Sequence, residues 1–486
     1  MLKNNLCDDN SAITHFYRFA AVLLSSYIAA VVMFYFFAGD QLLFRRSRGE
    51  LSMPTANNGT IELTEGSAVE QVFSVTIQRL ERIDVQWGTY YRSNAGTVQM
   101  ELIDQRDGTV LLVQTFDAAG IAEGGLTSLV AETPLEGLYS VPLTLRLTAD
   151  SLQGYAVSPF MNTQYHAVGG ELLLNGVITP GMLCFAAYGT DYIWTGIHYW
   201  QFAAVGLVLL WILLMFVRFQ ICRGRQSHLL NAIIATQKYR FLIHQLVSRD
   251  FKTKYKRSAL GIFWSFLNPL LTMLVQYLVF STVFKNDISN YPAYLLIGIV
   301  SFSFFNEACT MALSSIIGNA SLITKVYMPK YIYPLTRVIS SVVNLVISFI
   351  PLLLVCVLTG VQFRKSAVLA FFFLVCLIVF SLGLGLILSS AMVFFRDIQF
   401  LWGVFSMIWM YATPIFYPES ILPENFRPLL YINPLYHFLK NIRMCILDGI
   451  SPEPIVYLHC FLIALVMMTV GTWIFYKSQN QFVLYL

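Results

Sequence analysis

Long apolar runs punctuate this chain, and the polar stretches between them have two different rhythms. Runs of about 20 apolar residues, the length that crosses a hydrocarbon core, lie at 16–38, 199–217, 260–284, 294–313, 338–358, 368–393, 400–415 and 455–476. They predict eight membrane spans, of which the seventh is the shortest. The first run is too long for a signal-peptide core, and Gly39 and Asp40 offer no small-residue cleavage site, so a retained anchor is expected.

Between the first two spans, 40–198 alternates apolar and polar residues in short runs such as "VEQVFSVTIQ", "TVQMELID", "TVLLVQTF" and "VPLTLRLTA". Turn signals such as "SNAG", "DQRDG" and "EGG" separate them. This pattern predicts an inserted β-sandwich of jelly-roll type. From Asn231 the rhythm becomes helical: Tyr239, Ile243, Val247, Phe251 and Tyr255 recur at every fourth position with Leu242 and Leu246 beside them. Arg249, Lys252, Lys254, Lys256 and Arg257 fill much of the rest, which predicts a basic amphipathic helix lying in the headgroup layer before the chain turns into the membrane at Leu260. The expected divisions are therefore 1–39, an amino-terminal tail and anchor; 40–198, the sandwich; 199–217, the second span; 218–259, the interfacial helix; and 260–486, a six-span core.

Composition makes the membrane reading firm. Of 486 residues 57% are hydrophobic and 12% charged, about half the charge of an ordinary soluble chain. The net charge of +4 hides a division: 40–198 holds 8 Arg, no Lys and 17 Asp or Glu, a balance of −9, which leaves +13 for the rest. The positive-inside tendency puts 218–258 in the cytoplasm, both termini with it, and the sandwich outside. Arg45, Arg46 and Arg48 oppose that orientation, but charge acts weakly on long translocated domains. Eight cysteines show no ligand spacing, and only Cys184 falls in the sandwich; they read as packing residues, with neither disulfides nor a metal site indicated. There is no G-x-x-x-x-G-K-[ST], so ATP-driven work requires another chain. No catalytic constellation stands out, and nothing points to nucleic acid.

Four short stretches carry more information. "RDFKTKYKRSALGIFWSFLNPLL" from Arg249, "NASLITKVYMPKYIYPL" from Asn319, "FFRDIQFLWG" from Phe394 and "TPIFYPESILPENFRPLLYINPLYHFLKNIR" from Thr413 occur in this order, and the chain ends "FYKSQNQFVLYL". Over about 231–486 they resemble the permease subunits of bacterial ABC exporters for O-antigen, capsular polysaccharide and teichoic acid. The first 230 residues lie outside that resemblance.

The resemblance implies a homodimeric permease of the bacterial inner membrane, driven by two copies of a separate ATPase that bind ATP and Mg, with a lipid-linked polysaccharide as substrate. It assigns Leu322, Ile323, Lys325, Val326, Tyr327, Pro329 and Lys330 to an ATPase-coupling helix. The prolines Pro414, Pro418, Pro423, Pro428 and Pro434 forbid one continuous span, and broken backbone at membrane depth must be buried in protein or line a cavity. Short re-entrant helices are expected, and the resemblance makes this the external gate, with Pro414, Tyr417, Pro418 and Pro434. Arg249, Lys252, Lys254, Lys256 and Arg257 are the cations expected to attract a lipid-linked phosphate. Trp264, Tyr277, Phe280, Phe302, Trp409 and Tyr411 are candidate channel aromatics, set against ordinary helix packing. Glu307, an ionisable residue near the end of a span, is a functional candidate by its expense in the membrane, with snorkelling or pairing at the interface as the competing reading. In the sandwich, Trp87, Tyr90 and Tyr91 form the densest aromatic cluster and are candidates for glycan binding, with a core cluster as the competing reading. A membrane glycan ligase or polymerase, or an ABC exporter of another lipid or drug, remains the alternative.

Overall fold

The computed structural model describes residues 10–48, 53–164, 170–222, 238–256, 260–281, 290–325, 328–423, 425 and 427–485. It divides into two compact units, residues 43–197 and the remainder.

In the first unit two antiparallel sheets face each other. One runs Phe44–Arg48, Phe185–Tyr192, Arg79–Gly88, Ser158–Asn162, Met182–Leu183, with Leu126–Glu136 also on Arg79–Gly88 and Asn58–Gly59 on Ser158–Asn162. The other runs Val177–Thr179, Leu172–Leu174, Ala68–Ser74, Pro142–Ala149, Thr97–Asp104, Val110–Asp117. Period-2 alternation explains the core: Val69 and Phe73, Val98, Met100 and Leu102, and Leu143, Leu145 and Leu147 all point inward from one sheet. Ile83, Val85 and Trp87 do so from the other. Phe73 meets Phe185 edge-on across the gap at 4.9 Å between ring centroids, and the buried Gln71 accepts from the Leu183 backbone N–H at 3.0 Å, so both sheets share one core. The expectation of a β-sandwich holds at that level.

The second unit is helical. Seven helices among the described residues are long and apolar enough to cross a membrane: α1 (Asn10–Ala38), α2 (Tyr199–Cys222), α4 (Phe263–Phe280), α5 (Tyr291–Leu313), α7 (Ile332–Leu358), α8 (Ala370–Phe394) and α12 (Pro454–Ser478). Shorter helices are α3 (Arg240–Tyr255), α6 (Ala320–Lys325), α9 (Ile398–Ala412), α10 (Arg427–Ile432) and α11 (Pro434–Arg443). The expected seventh span, 400–415, is α9, only 15 residues long, about 22 Å of helix at 1.5 Å per residue.

The central helix is α5, buried along most of its length against α4, α7 and α8. Its buried positions are rich in small residues (Ala293, Gly298, Ser301, Ala308, Ala312), which lets neighbouring backbones approach closely where lipid supplies no hydrophobic drive between helices. The extreme case is α8 against α12: a Cβ on Gly471 would strike the backbone of Gly383, and one on Gly383 would strike Met467 and Met468. Gly471→Leu should therefore cost about 1–3 kcal/mol, seen as a lower melting temperature of the detergent-solubilised chain. Gly403→Leu, where nothing lies within 4 Å, serves as the control; equal losses in both would contradict this packing.

The two amino-terminal spans are fastened to each other and to this bundle. Tyr199 Oη donates to the Val31 carbonyl at 2.7 Å, and Tyr27 Oη to Ala203 at 2.9 Å. Phe34 packs on Tyr199 and edge-on against Tyr457 of α12 at 4.6 Å, and Gln41 Nε2 donates to the Gly449 carbonyl at 3.2 Å. Cys184, Cys309, Cys356, Cys376, Cys445 and Cys460 are all buried and unbridged.

Candidate functional site

A cluster of charged and polar side chains lies where α3 meets α5 and α7. The face that α3 presents to protein is Tyr239, Leu242, Ile243, Leu246 and Asp250. This corrects the expected stripe in part: Phe251 and Val247 sit at its margin, and residues 231–237 and Arg257 lie outside the described residues. A carboxylate rather than an apolar residue ends the buried face.

Asp250 is buried, its side chain only 4% exposed. Arg337 of α7 reaches its Oδ2 at 3.0 Å and Arg249 its Oδ1 at 3.1 Å. The same Arg249 guanidinium donates to Asn319 Oδ1 at 3.2 Å, and Asn319 in turn donates to the Ser315 carbonyl at 2.8 Å. One turn further along α3, Lys254 Nζ meets Glu307 Oε1 of α5 at 2.8 Å, an oxygen that also accepts from Asn344 Nδ2 at 2.6 Å. Glu307 is thus paired, the competing reading of its place near the interface, and the pair ties α3 to α5 and α7.

These groups border an open cavity of about 670 Å³ lined by Arg249, Asp250, Thr253, Lys254, Glu307 and Arg337, among others. Three cations stand against two carboxylates, leaving one net positive charge beside the opening. Guanidinium and ammonium groups so arranged can exchange a carboxylate for an arriving phosphate, which Arg grips with two parallel N–H donors. Of the five predicted cations, Arg249 and Lys254 belong to this cluster, whereas Lys252 and Lys256 are exposed away from it. Arg337 was missed, because a single Arg in an apolar span reads as an interfacial flank.

The segment expected to couple to an ATPase begins as α6. Leu322 and Ile323 are half-buried against the cluster containing Ile316, Met328, Ile332 and Tyr333, while Ser321, Thr324 and Lys325 are exposed. Val326 and Tyr327 lie outside the described residues. Lys330, after Pro329, is turned inward: its ammonium donates to the Gln479 carbonyl at 2.6 Å and lies 5.8 Å from the Phe482 ring centroid. It fastens the carboxyl-terminal tail, a role its sequence position did not reveal.

The candidate channel aromatics separate into two groups. Phe302 is buried in the bundle, and Trp409 packs edge-on against Phe305 with its indole N–H on Asn433 Oδ1 at 2.8 Å. Phe302 is thus a packing residue, the competing reading for the set, while Trp409 is half-buried and keeps part of its ring at the surface. Trp264, Tyr277 and Tyr411 are exposed on the bundle surface, and Phe280 stacks on Phe416 at 5.8 Å.

At the proline-rich end the backbone is broken as expected, into α10 and α11. Pro434 occupies the first turn of α11 behind Asn433, whose side chain accepts from the Leu435 N–H at 3.1 Å, the arrangement favoured at a helix start. Tyr294 Oη donates to the Tyr417 carbonyl at 3.0 Å, Tyr417 Oη to Tyr411 at 2.7 Å, and Lys440 pairs with Glu419, next to Pro418, at 3.0 Å. The unforeseen residue is Arg443, wholly buried, which donates to the carbonyls of Pro414 at 2.6 Å and Ile415 at 2.9 Å and lies 3.5 Å from the Tyr294 ring centroid. His437 and His459 meet ring to ring at 4.8 Å.

In the sandwich the aromatic cluster divides. Trp87 is 0% exposed, with its indole N–H donating to Thr127 Oγ1 at 2.6 Å; inward alternation from Ile83 and Val85 makes it core, so it offers no ring face to a glycan. Tyr90 and Tyr91 are exposed.

Comparison with known proteins bears on the helical half. The family described as ABC-2 type transporter matches residues 242–447. The O-antigen export system permease protein RfbA of Myxococcus xanthus is 31% identical over 248 residues, 50% of this chain and 95% of that protein. Its namesake in Klebsiella pneumoniae is 28% identical over 50% of this chain and 93% of its own length. The polysialic acid transport protein KpsM of Escherichia coli is 23% identical over 49% and 93%. The matched span contains the α3–α5–α7 cluster, α6 and the proline-rich end, and on this similarity the chain belongs to the ABC-2 type transporter family.

Proposed function

We propose that this chain is the transmembrane subunit of an ABC exporter that carries a lipid-linked cell-surface polysaccharide across the bacterial inner membrane. The observation that carries the reading is the match along 95% of the length of an O-antigen export permease, which the charged cavity beneath α3 supplements with a chemical rationale. Its net positive rim suits the phosphate or pyrophosphate that joins a glycan to its lipid. Two chains form the pathway between them, and two copies of a separate ATPase, with ATP and Mg, drive it. Both termini and α3 face the cytoplasm; the sandwich, with jelly-roll character, stands outside. In this arrangement α9 is a short seventh span of eight, and the α10–α11 segment with Pro414, Tyr417, Pro418 and Pro434 is the external gate. Exposed Trp264, Tyr277 and Tyr411 are the aromatics available to the pathway.

The ATPase seat is the exposed side of α6. Lys325→Glu combined with Thr324→Glu leaves the half-buried Leu322 and Ile323 in place. These changes should abolish co-purification of a stoichiometric P-loop ATPase with the tagged chain from its native membrane, at an unchanged melting temperature. If the unaltered chain brings no ATPase, and its membranes show no ATP-dependent appearance of surface polysaccharide, the exporter reading falls.

A further inference from the structure

The sandwich carries a turn of uncommon backbone geometry. The strand Arg79–Gly88 leads into Thr89–Arg92, closed by the Arg92 N–H on the Thr89 carbonyl at 3.2 Å. The two central residues, Tyr90 and Tyr91, have φ of 56° and 55°. Two successive left-handed positions are the province of Asn-Gly and Gly-Gly, and bulky side chains there are uncommon. Observed strain of this kind is a reason to look for function.

The turn is held from beneath. The Glu123 carboxylate accepts from the Thr89 N–H at 2.6 Å and from Thr89 Oγ1 at 2.7 Å, and also faces the backbone N–H groups of Tyr90 and Tyr91; these donors hold its carboxyl below the usual range. Arg92 is fixed by Glu62 at 2.8 Å and by the Ala156 carbonyl at 3.0 Å, and its guanidinium covers the Tyr90 ring at 4.8 Å. The next turn is joined on, the Ala95 N–H donating to the Tyr155 carbonyl at 3.0 Å. The outcome is a rigid frame from which Tyr91 stands 90% exposed, with Tyr155 at 56% and Tyr90 at 48%.

Resting on the export reading above, we infer that the Thr89–Arg92 turn is a glycan-binding site for the exported polymer, with the Tyr91 ring as the stacking surface and the Arg92–Glu62 pair beside it for sugar hydroxyls. A ring held at the tip of a fixed turn loses little side-chain freedom on binding, which favours a weak but repeated contact along a chain. Charge narrows the substrate class. The segment 40–198 carries −9, and at the turn Glu62 and Glu123 outnumber Arg92. A polyanionic glycan would be repelled, so the class is a neutral or nearly neutral polysaccharide.

The test uses the full chain in nanodiscs and fluorescently labelled, delipidated surface polysaccharide from the strain that expresses it, with polysialic acid as the polyanionic comparison. Saturable binding is expected for the first and none for the second. Tyr91→Ala should weaken binding about ten-fold, the equivalent of one lost stacking contact, and Tyr91→Phe should stay within about two-fold. Absence of binding by the unaltered chain, equal binding of polysialic acid, or Tyr91→Ala within about two-fold would each overturn the inference. The export reading is judged separately: deletion of the chain with surface polymer undiminished would sink that reading, whereas unchanged binding in Tyr91→Ala sinks only the site.

Discussion

Asp250→Ala should lower the stability of the chain by about 3 kcal/mol or more and abolish surface display of the polymer. The carboxylate is buried between Arg337 and Arg249, and removing one partner of a buried pair leaves the other charge without compensation, typically at a cost of about 3–5 kcal/mol. The damage is also mechanical, because Asp250 ends the face by which α3 seats on α7. Arg337→Gln added to Asp250→Ala should recover part of the loss, since it removes the uncompensated guanidinium; members of one ion-pair network are not additive. Melting temperature in detergent and polymer at the cell surface measure the two effects. A melting temperature equal to that of the unaltered chain, or losses that add in the double variant, would contradict the role given to Asp250.

Arg443→Met should be of similar size. Its guanidinium satisfies the Pro414 and Ile415 carbonyls and also donates to the Tyr294 carbonyl at 3.2 Å, where the proline-rich chain cannot satisfy itself through helical bonds. An apolar replacement of similar length leaves those carbonyls bare at about 1–3 kcal/mol each, giving about 3 kcal/mol or more in all and loss of export. Arg443→Lys should fall between, because an ammonium keeps the charge but not the planar fork that reaches three carbonyls and lies over Tyr294. Equal behaviour of the Lys variant and the unaltered chain, in melting and in surface polymer, would show that charge alone suffices.

The two charged residues with the largest expected effects were the hardest to recognise in advance. Asp250 stands in a segment crowded with Lys and Arg, where a carboxylate reads as one more solvated charge. Its partners Asn319, through Arg249, and Arg337 are about 70 and 90 residues away, a distance no periodicity reports. Glu307 was legible, because an ionisable group within an apolar run is costly enough to demand a reason. Trp87 shows a signal that was present but outweighed: Ile83, Val85 and Trp87 share one face of a strand, and that alternation was better evidence than proximity to two tyrosines. For Tyr90 and Tyr91 the sequence carried composition only, since positive φ is imposed by the Glu123 clamp and the closing bond of the turn.

Apolar run length, period-2 alternation and proline density were enough to determine a helical membrane unit, an inserted β-sandwich and a broken proline-rich segment. Each of these is a local requirement: a hydrocarbon core needs about 20 apolar residues, a half-buried strand needs alternation, and proline cannot donate within a helix. Four ordered motifs supplied the family likeness. Tertiary structure alone decided which charges are paired, which aromatics are core and which face of α3 meets protein. Those outcomes depend on groups brought together from distant parts of the chain, where desolvation makes an unpartnered charge expensive and a partnered one tolerable.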